Sequence, residues 1–141
     1  MASQRSTRIT RRTQQKVFYS DFKMNFDLNP ITNALERLTN NDAVKSAIKN
    51  LVMTQRGERF YHLDIGSDVP RSFFDLVDDI TATQIGESIH SAIKQHERRA
   101  HDVDVRVIPD IVHNTYTVDI SFGVINIPEI QTLQIILNRV R

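Results

Sequence analysis

An α+β fold is what this chain predicts: a compact three-helix layer followed by a small C-terminal antiparallel β-sheet (a hairpin plus a third strand), with an extended N-terminal arm. Two observations carry that reading. Up to Ile93 the apolar residues recur at helical spacing, and from Val103 they alternate. Helices first and strands last is the order of an α+β domain. The period changes at a charged corner, Glu97-Arg98-Arg99. The 141 residues, 40% hydrophobic and 25% charged, suit one domain with one modest core.

Residues 1–16 form a compositional block of their own. Arg5, Arg8, Arg11, Arg12 and Lys16 are basic, and no acid precedes Asp21. Ile9 is its only sizeable apolar residue after Met1, too little burial to offset ordering entropy, so the block reads as a flexible basic arm and 17–141 as the domain. The arm suits docking on an acidic protein groove; nucleic-acid binding and a plain solvated tail are the other readings. Residues 17–38 hold Phe18, Tyr19, Phe22 and Phe26 without a helical face, and Pro30 favours extended backbone before it. They read as an extended segment across the body, its aromatics serving the core.

The first helix is expected at about Asp42 to Thr54, capped by Asn41 or Asp42, with Val44, Ala47, Ile48, Leu51 and Val52 on one face. Gly57 reads as its C′ glycine. A second helix begins near Asp68, with Pro70 in its first turn and Val69, Phe73, Leu76, Val77 and Ile80 on one face. The third, with the turn that ends it, runs from Thr81 to Arg99. Thr81 and Gln84 form a capping box, Ile80 and Ile85 a hydrophobic staple, and Ile85, Ile89, Ala92 and Ile93 the apolar face. Gly86 inside it costs about 1 kcal/mol against alanine and asks for a close neighbour.

Strands follow. Val103, Val105 and Val107 alternate with Asp104 and Arg106 until Pro109 closes the run. Asp110 to Asn114 is turn-like. Tyr116, Val118, Ile120, Phe122 and Val124 give the cleanest strand, and Asn126 to Glu129 reads as another turn. Residues 130–140 fit either strand or helix; a third strand is preferred because it makes a marginal hairpin stable.

The chemistry the chain can do is bounded by what it lacks. There is no cysteine, so disulfides and zinc–thiolate sites are excluded. No apolar run approaches the ~20 residues of a membrane span. The formal net charge of +1 makes the whole chain no strong polyanion binder. Glu58, Asp64 and Asp68 lie in connecting loops, but nothing pairs two of them in an apolar cleft as glycoside hydrolysis requires. Glu87 and His90 have the Glu-x-x-His spacing of di-iron bundles, which need that motif twice. His62, His90, His96, His101 and His113 show no zinc-protease spacing, and no Gly-rich phosphate loop or nucleophile elbow is present. No catalytic residue, cofactor or metal is expected. A binding protein remains, with a charged corner, a basic arm and a sheet edge fit for strand addition.

The phrases YSDF, DAVKSAIKNLVMT, RGERFYHLDIGSDV, TATQIGESIHSAI and YTVDISFGVINIPE, in that order, resemble the small baseplate wedge proteins of contractile-tailed phages. This is the gene product twenty-five-like, or lysozyme-like baseplate, family, related to TssE of the type VI secretion baseplate. The resemblance runs from about Phe18 to Arg139. It implies a structural protein of the virion tail baseplate, assembled in host cytoplasm, present in several copies and starting the sheath lattice. Implied partners are the wedge core-bundle proteins, the tail sheath protein and the tail tube base, with no membrane or nucleic acid. The family's Glu-Pro-Arg motif, which contacts the core bundle, falls on Glu97, Arg98 and Arg99; Arg98 replaces the proline and lets the helix continue. Sheath strand addition falls on Tyr116, Val118, Ile120, Phe122, Leu133, Ile135 and Leu137, and arm docking on Arg5, Arg8, Arg11 and Arg12. The alternatives are a tail-associated peptidoglycan-degrading lysozyme and a nucleic-acid module led by the arm.

Overall fold

A computed structural model describes residues 16–139. Arg5, Arg8, Arg11 and Arg12 lie outside the described residues. The order is β1 (Ser20–Phe22), β2 (Arg37–Thr39), α1 (Asn41–Met53), α2 (Val69–Ser72), α3 (Asp79–His96), β3 (Ala100–Asp110), β4 (Thr115–Val124) and β5 (Ile127–Asn138). The α+β expectation holds: the helices come first, and β3-β4-β5 form an antiparallel C-terminal sheet with β4 in the middle.

The core lies between that sheet and the helices. Val44, Ile48 and Val52 of α1 and Ile85, Ile89 and Ile93 of α3 are buried with Val118, Ile120 and Phe122 of β4 and Ile135 and Leu137 of β5. The register puts Val105, Ile120 and Leu133 in one row, and Val107, Val118 and Ile135 in the next, all on the core face. Residues 127–138 are a strand, as preferred from sequence, because β4 offers them a full ladder from Val124 to Thr115. The structure places the turn at Ile125-Asn126, with Asn126 left-handed, and puts Pro128 inside β5. Pro109 likewise stays in β3; an outer strand tolerates a residue without an N–H.

The helix ends differ from expectation for physical reasons. The N-cap of α1 is Asn40, in a left-handed conformation, and its side chain makes no cap bond. Its amide turns backward instead, accepting from Phe18 N–H at 2.8 Å and donating to the Lys16 carbonyl at 3.0 Å. Gly57 is left-handed, as read, but sits three residues beyond the C-cap Thr54, in the following turn. Asp78, not Thr81, caps α3: its carboxylate accepts from Thr81 N–H at 2.7 Å. With the cap three residues earlier, Ile80 lies inside the helix and faces outward, so no staple with Ile85 forms. The expected second helix shrinks to the single turn of α2, which ends at Ser72, and residues 73–78 are turn and irregular backbone; Val69 is buried, Phe73 and Val77 pack partly on the core, and Leu76 is exposed. Tyr116 reaches back to this stretch, donating its hydroxyl to the Leu76 carbonyl at 3.0 Å.

Residues 17–39 form a hairpin rather than a simple extended strap. Ser20–Phe22 pair with Arg37–Thr39, a Leu28–Leu35 bridge narrows the loop, and Lys23 pairs with Glu36 at 2.9 Å. Its aromatics do not serve the core: Phe18, Phe22 and Phe26 are exposed, and Tyr19 alone of the four packs against it.

Candidate functional site

The corner after α3 is built by its own residues. The helix stops at His96 although Arg98 carries no proline constraint, since Glu97 takes φ −112° and ψ 85°. That conformation folds the Glu97 side chain back over Arg99. Arg99 donates Nε to Oε1 at 2.7 Å and Nη2 to Oε2 at 2.6 Å, and its backbone N–H also reaches Oε1 at 3.2 Å. Glu97 is buried, and this fork answers its charge with good bidentate geometry. The guanidinium lies over the Tyr19 ring, 5.6 Å from its centre. The Tyr19 hydroxyl donates to the Ile125 carbonyl at 3.1 Å, and Ile125 N–H donates to the Arg99 carbonyl at 3.0 Å. The corner therefore ties the N-terminal hairpin to the β4–β5 turn. Of the triplet, Arg98 is exposed, Arg99 is partly buried and Glu97 is buried.

The sheet offers two outer strands, β3 and β5. Both edges of β4 are filled, so strand addition cannot run through the backbone of Tyr116, Val118, Ile120 and Phe122, whose side chains are core. Leu133, Ile135 and Leu137 do lie on an outer strand, with side chains turned to the core face. Along β3 runs a groove of about 670 Å³, with α3 as its other wall. Inward Val103, Val105 and Val107 and outward Asp104 and Arg106 all line it, as happens where a groove follows a strand's edge. On the α3 wall, a Cβ on Gly86 would meet Val107 Cγ2 at 3.5 Å, an ordinary contact, so close packing does not demand this glycine. Glu87 and His90 flank it, exposed. Sequence reasoning missed this edge; the signal available was the Asp104/Arg106 alternation beside an unexplained Gly86.

Large apolar side chains crowd the surface elsewhere. The hairpin exposes Phe18, Phe22, Met24, Phe26 and Leu28, and the loop after α1 holds Phe60 at 89% and Tyr61 at 99% exposure. Tyr61 is left-handed there, which costs a bulky residue strain. Gly66, φ +130°, lets this loop close on Thr54, because a Cβ would lie 2.6 Å from the Thr54 carbonyl oxygen. Buried Ser67 then bonds Val52 O at 2.6 Å. Exposed apolar surface on this scale marks interaction sites.

Two of the loop acids have structural partners. Glu58 accepts from Gln55 N–H at 3.0 Å, and Asp68 lies 3.7 Å from Arg56. Glu58 lines a cleft with Lys49 and Arg59. Two further carboxyls are held below the usual carboxylate range: Asp78 by the Thr81 N–H it caps, and Asp110 by His113, whose ring nitrogen lies 2.7 Å away.

Comparison with known proteins identifies relatives. The family model for baseplate wedge protein gp25 matches residues 39–129. Baseplate wedge protein gp25 of Enterobacteria phage T4 is 29% identical over 87 residues, which is 62% of this chain and 66% of that protein, just under two thirds of its length. Two solved structures share the fold. A Geobacter sulfurreducens protein named as a candidate tail lysozyme has a TM-score of 0.62 at 20% identity, over 70% of this chain and 89% of that one. A chain of the anti-feeding prophage baseplate has a TM-score of 0.58 at 19% identity, over 87% of each.

Proposed function

Because the chain belongs to the baseplate wedge protein gp25 family, we propose that it is a structural component of a contractile tail's inner baseplate. There it binds the wedge core bundle and starts sheath polymerisation by accepting a sheath strand. The observation that carries this reading is the outer edge of β3, one of the sheet's two outer strands, beside the groove it shares with α3. Backbone groups on such an edge give affinity to an incoming strand, and the half-exposed Val103, Val105 and Val107 give its side chains an apolar seat.

The core-bundle contact belongs to the corner, with its roles divided. Glu97 holds Arg99 in place, and Arg98 with the free side of Arg99 faces the partner. The tube base and the multiple copies fit the same reading, with the exposed hairpin and the Phe60-Tyr61 loop as further contacts. The basic arm, residues 1–16, precedes this domain as a separate docking segment.

The test is assembly. Arg98→Glu leaves the Glu97–Arg99 fork intact, so the variant folds. It is expected to drop out of purified baseplates and to leave tails without sheath; normal tails from it would refute the corner assignment.

A further inference from the structure

The two outer strands of the sheet differ in charge. β5 carries a single charged residue, Glu129, whereas β3 carries Asp102, Asp104, Arg106 and Asp110. Asp79 and Glu87 add carboxylates from the α3 wall of the groove, where Arg106 is the one arginine or lysine. Across the sheet, Arg106 stands opposite Asp119, but Asp104 stands opposite Ser121, with Thr132 next in its row. Asp104 is exposed, and among the described residues it belongs to no ion pair.

The ladder also fixes which backbone groups face outward. Arg139 N–H donates to the Asn114 carbonyl at 3.1 Å, one step beyond the Thr115–Asn138 pair. Alternate residues of an antiparallel strand bond to opposite neighbours, so the even-numbered residues of β4 bond to β5 and the odd-numbered ones to β3. Thr117, Asp119 and Ser121 therefore bond to Ile108, Arg106 and Asp104. Val105 and Val107 keep N–H and C=O turned outward, and Pro109, which has no N–H, offers only its carbonyl. An added strand finds its ladder at Val105 and Val107, beside the unanswered Asp104.

Building on the sheath reading, we propose that the strand accepted at β3 is basic. It sets a lysine or arginine opposite Asp104 and apolar side chains opposite Val105 and Val107. Opposite charges facing each other across a strand pair attract, and like charges repel. This pairing directs the strand to β3 rather than to the nearly uncharged edge of β5.

The test uses purified baseplates that contain the full-length variant, with purified sheath protein as the probe. Asp104→Lys is expected to raise the sheath concentration needed to start polymerisation about fivefold. Asp104→Glu and, on β5, Thr132→Lys are expected to leave it at the parent value. A single Lys→Glu or Arg→Glu change in the sheath protein restores initiation on Asp104→Lys baseplates. Parent-like initiation by Asp104→Lys, an equal loss with Thr132→Lys, the lack of any rescuing sheath change, or failure of Asp104→Lys to enter the baseplate overturns the proposal. Val105→Pro separates this from the sheath reading, because it removes an outward N–H and no bond to β4. If baseplates containing it do not initiate while Asp104→Lys baseplates do, the charge pairing is wrong and the sheath reading stands. If they initiate as the parent does, the sheath reading itself fails.

Discussion

Glu97 and Arg99 show how far a single residue's chemistry can be read and where reading stops. An acid and a base two positions apart beyond a helix were legible as a charged corner. That they answer each other was not, because it depends on the non-helical φ and ψ of Glu97 itself. Glu97→Gln keeps the shape but leaves the half-buried guanidinium without its counter-charge. It is expected to cost about 1–3 kcal/mol in denaturant unfolding, and to loosen Tyr19 as well. Gly66→Ala is expected to cost about as much, since the new Cβ meets the Thr54 carbonyl in a backbone conformation that side chains resist. Asp78 gives a pH signature. Its folded pKa is depressed by the cap bond, so the stability it contributes is full above the unfolded value of about 3.9 and is lost as pH falls through the folded value. Asp78→Ala should therefore lower the thermal midpoint at neutral pH, with the gap to the parent closing as the pH drops below about 4.

At the scale of elements, period was the reliable guide and ends were not. The faces of α1 and α3 and the alternation of β3 and β4 were legible because burial enforces them along many residues at once. The cap at Asp78 was hidden among several capable side chains, so one local competition moved the start of α3. The hairpin of residues 17–39 was missed because its aromatics suggested a core, whereas the structure leaves most of them exposed. Its attachment is thin and rests on Tyr19 and Asn40. Tyr19→Ala should speed amide exchange throughout 17–39 while the β4 amides keep their protection. In α3, Gly86→Ala removes a helix-interior glycine at no steric cost and should raise unfolding stability by about 0.5–1 kcal/mol. The same change narrows the groove beside β3, so it should gain stability while losing assembly. A gain in both would show that nothing needs the space.

Taken whole, the molecule has a small, well-ordered core and a surface richer in apolar groups than a free monomer needs: the hairpin, the loop at Phe60-Tyr61, and the open edge of the sheet. That division suits a subunit held by several neighbours. The α+β order and the family were legible in the sequence, since both rest on long-range order of segments. Which strands lie outermost was not legible, because strand order within a sheet is set by tertiary packing. The most direct measurement is a cryo-EM reconstruction of the assembled tail at side-chain resolution. The account predicts a sheath strand hydrogen-bonded along the outer edge of β3, over Gly86, with Arg98 against a wedge core-bundle chain. A β3 edge bare in the assembled tail, or Arg98 pointing into solvent, would contradict it.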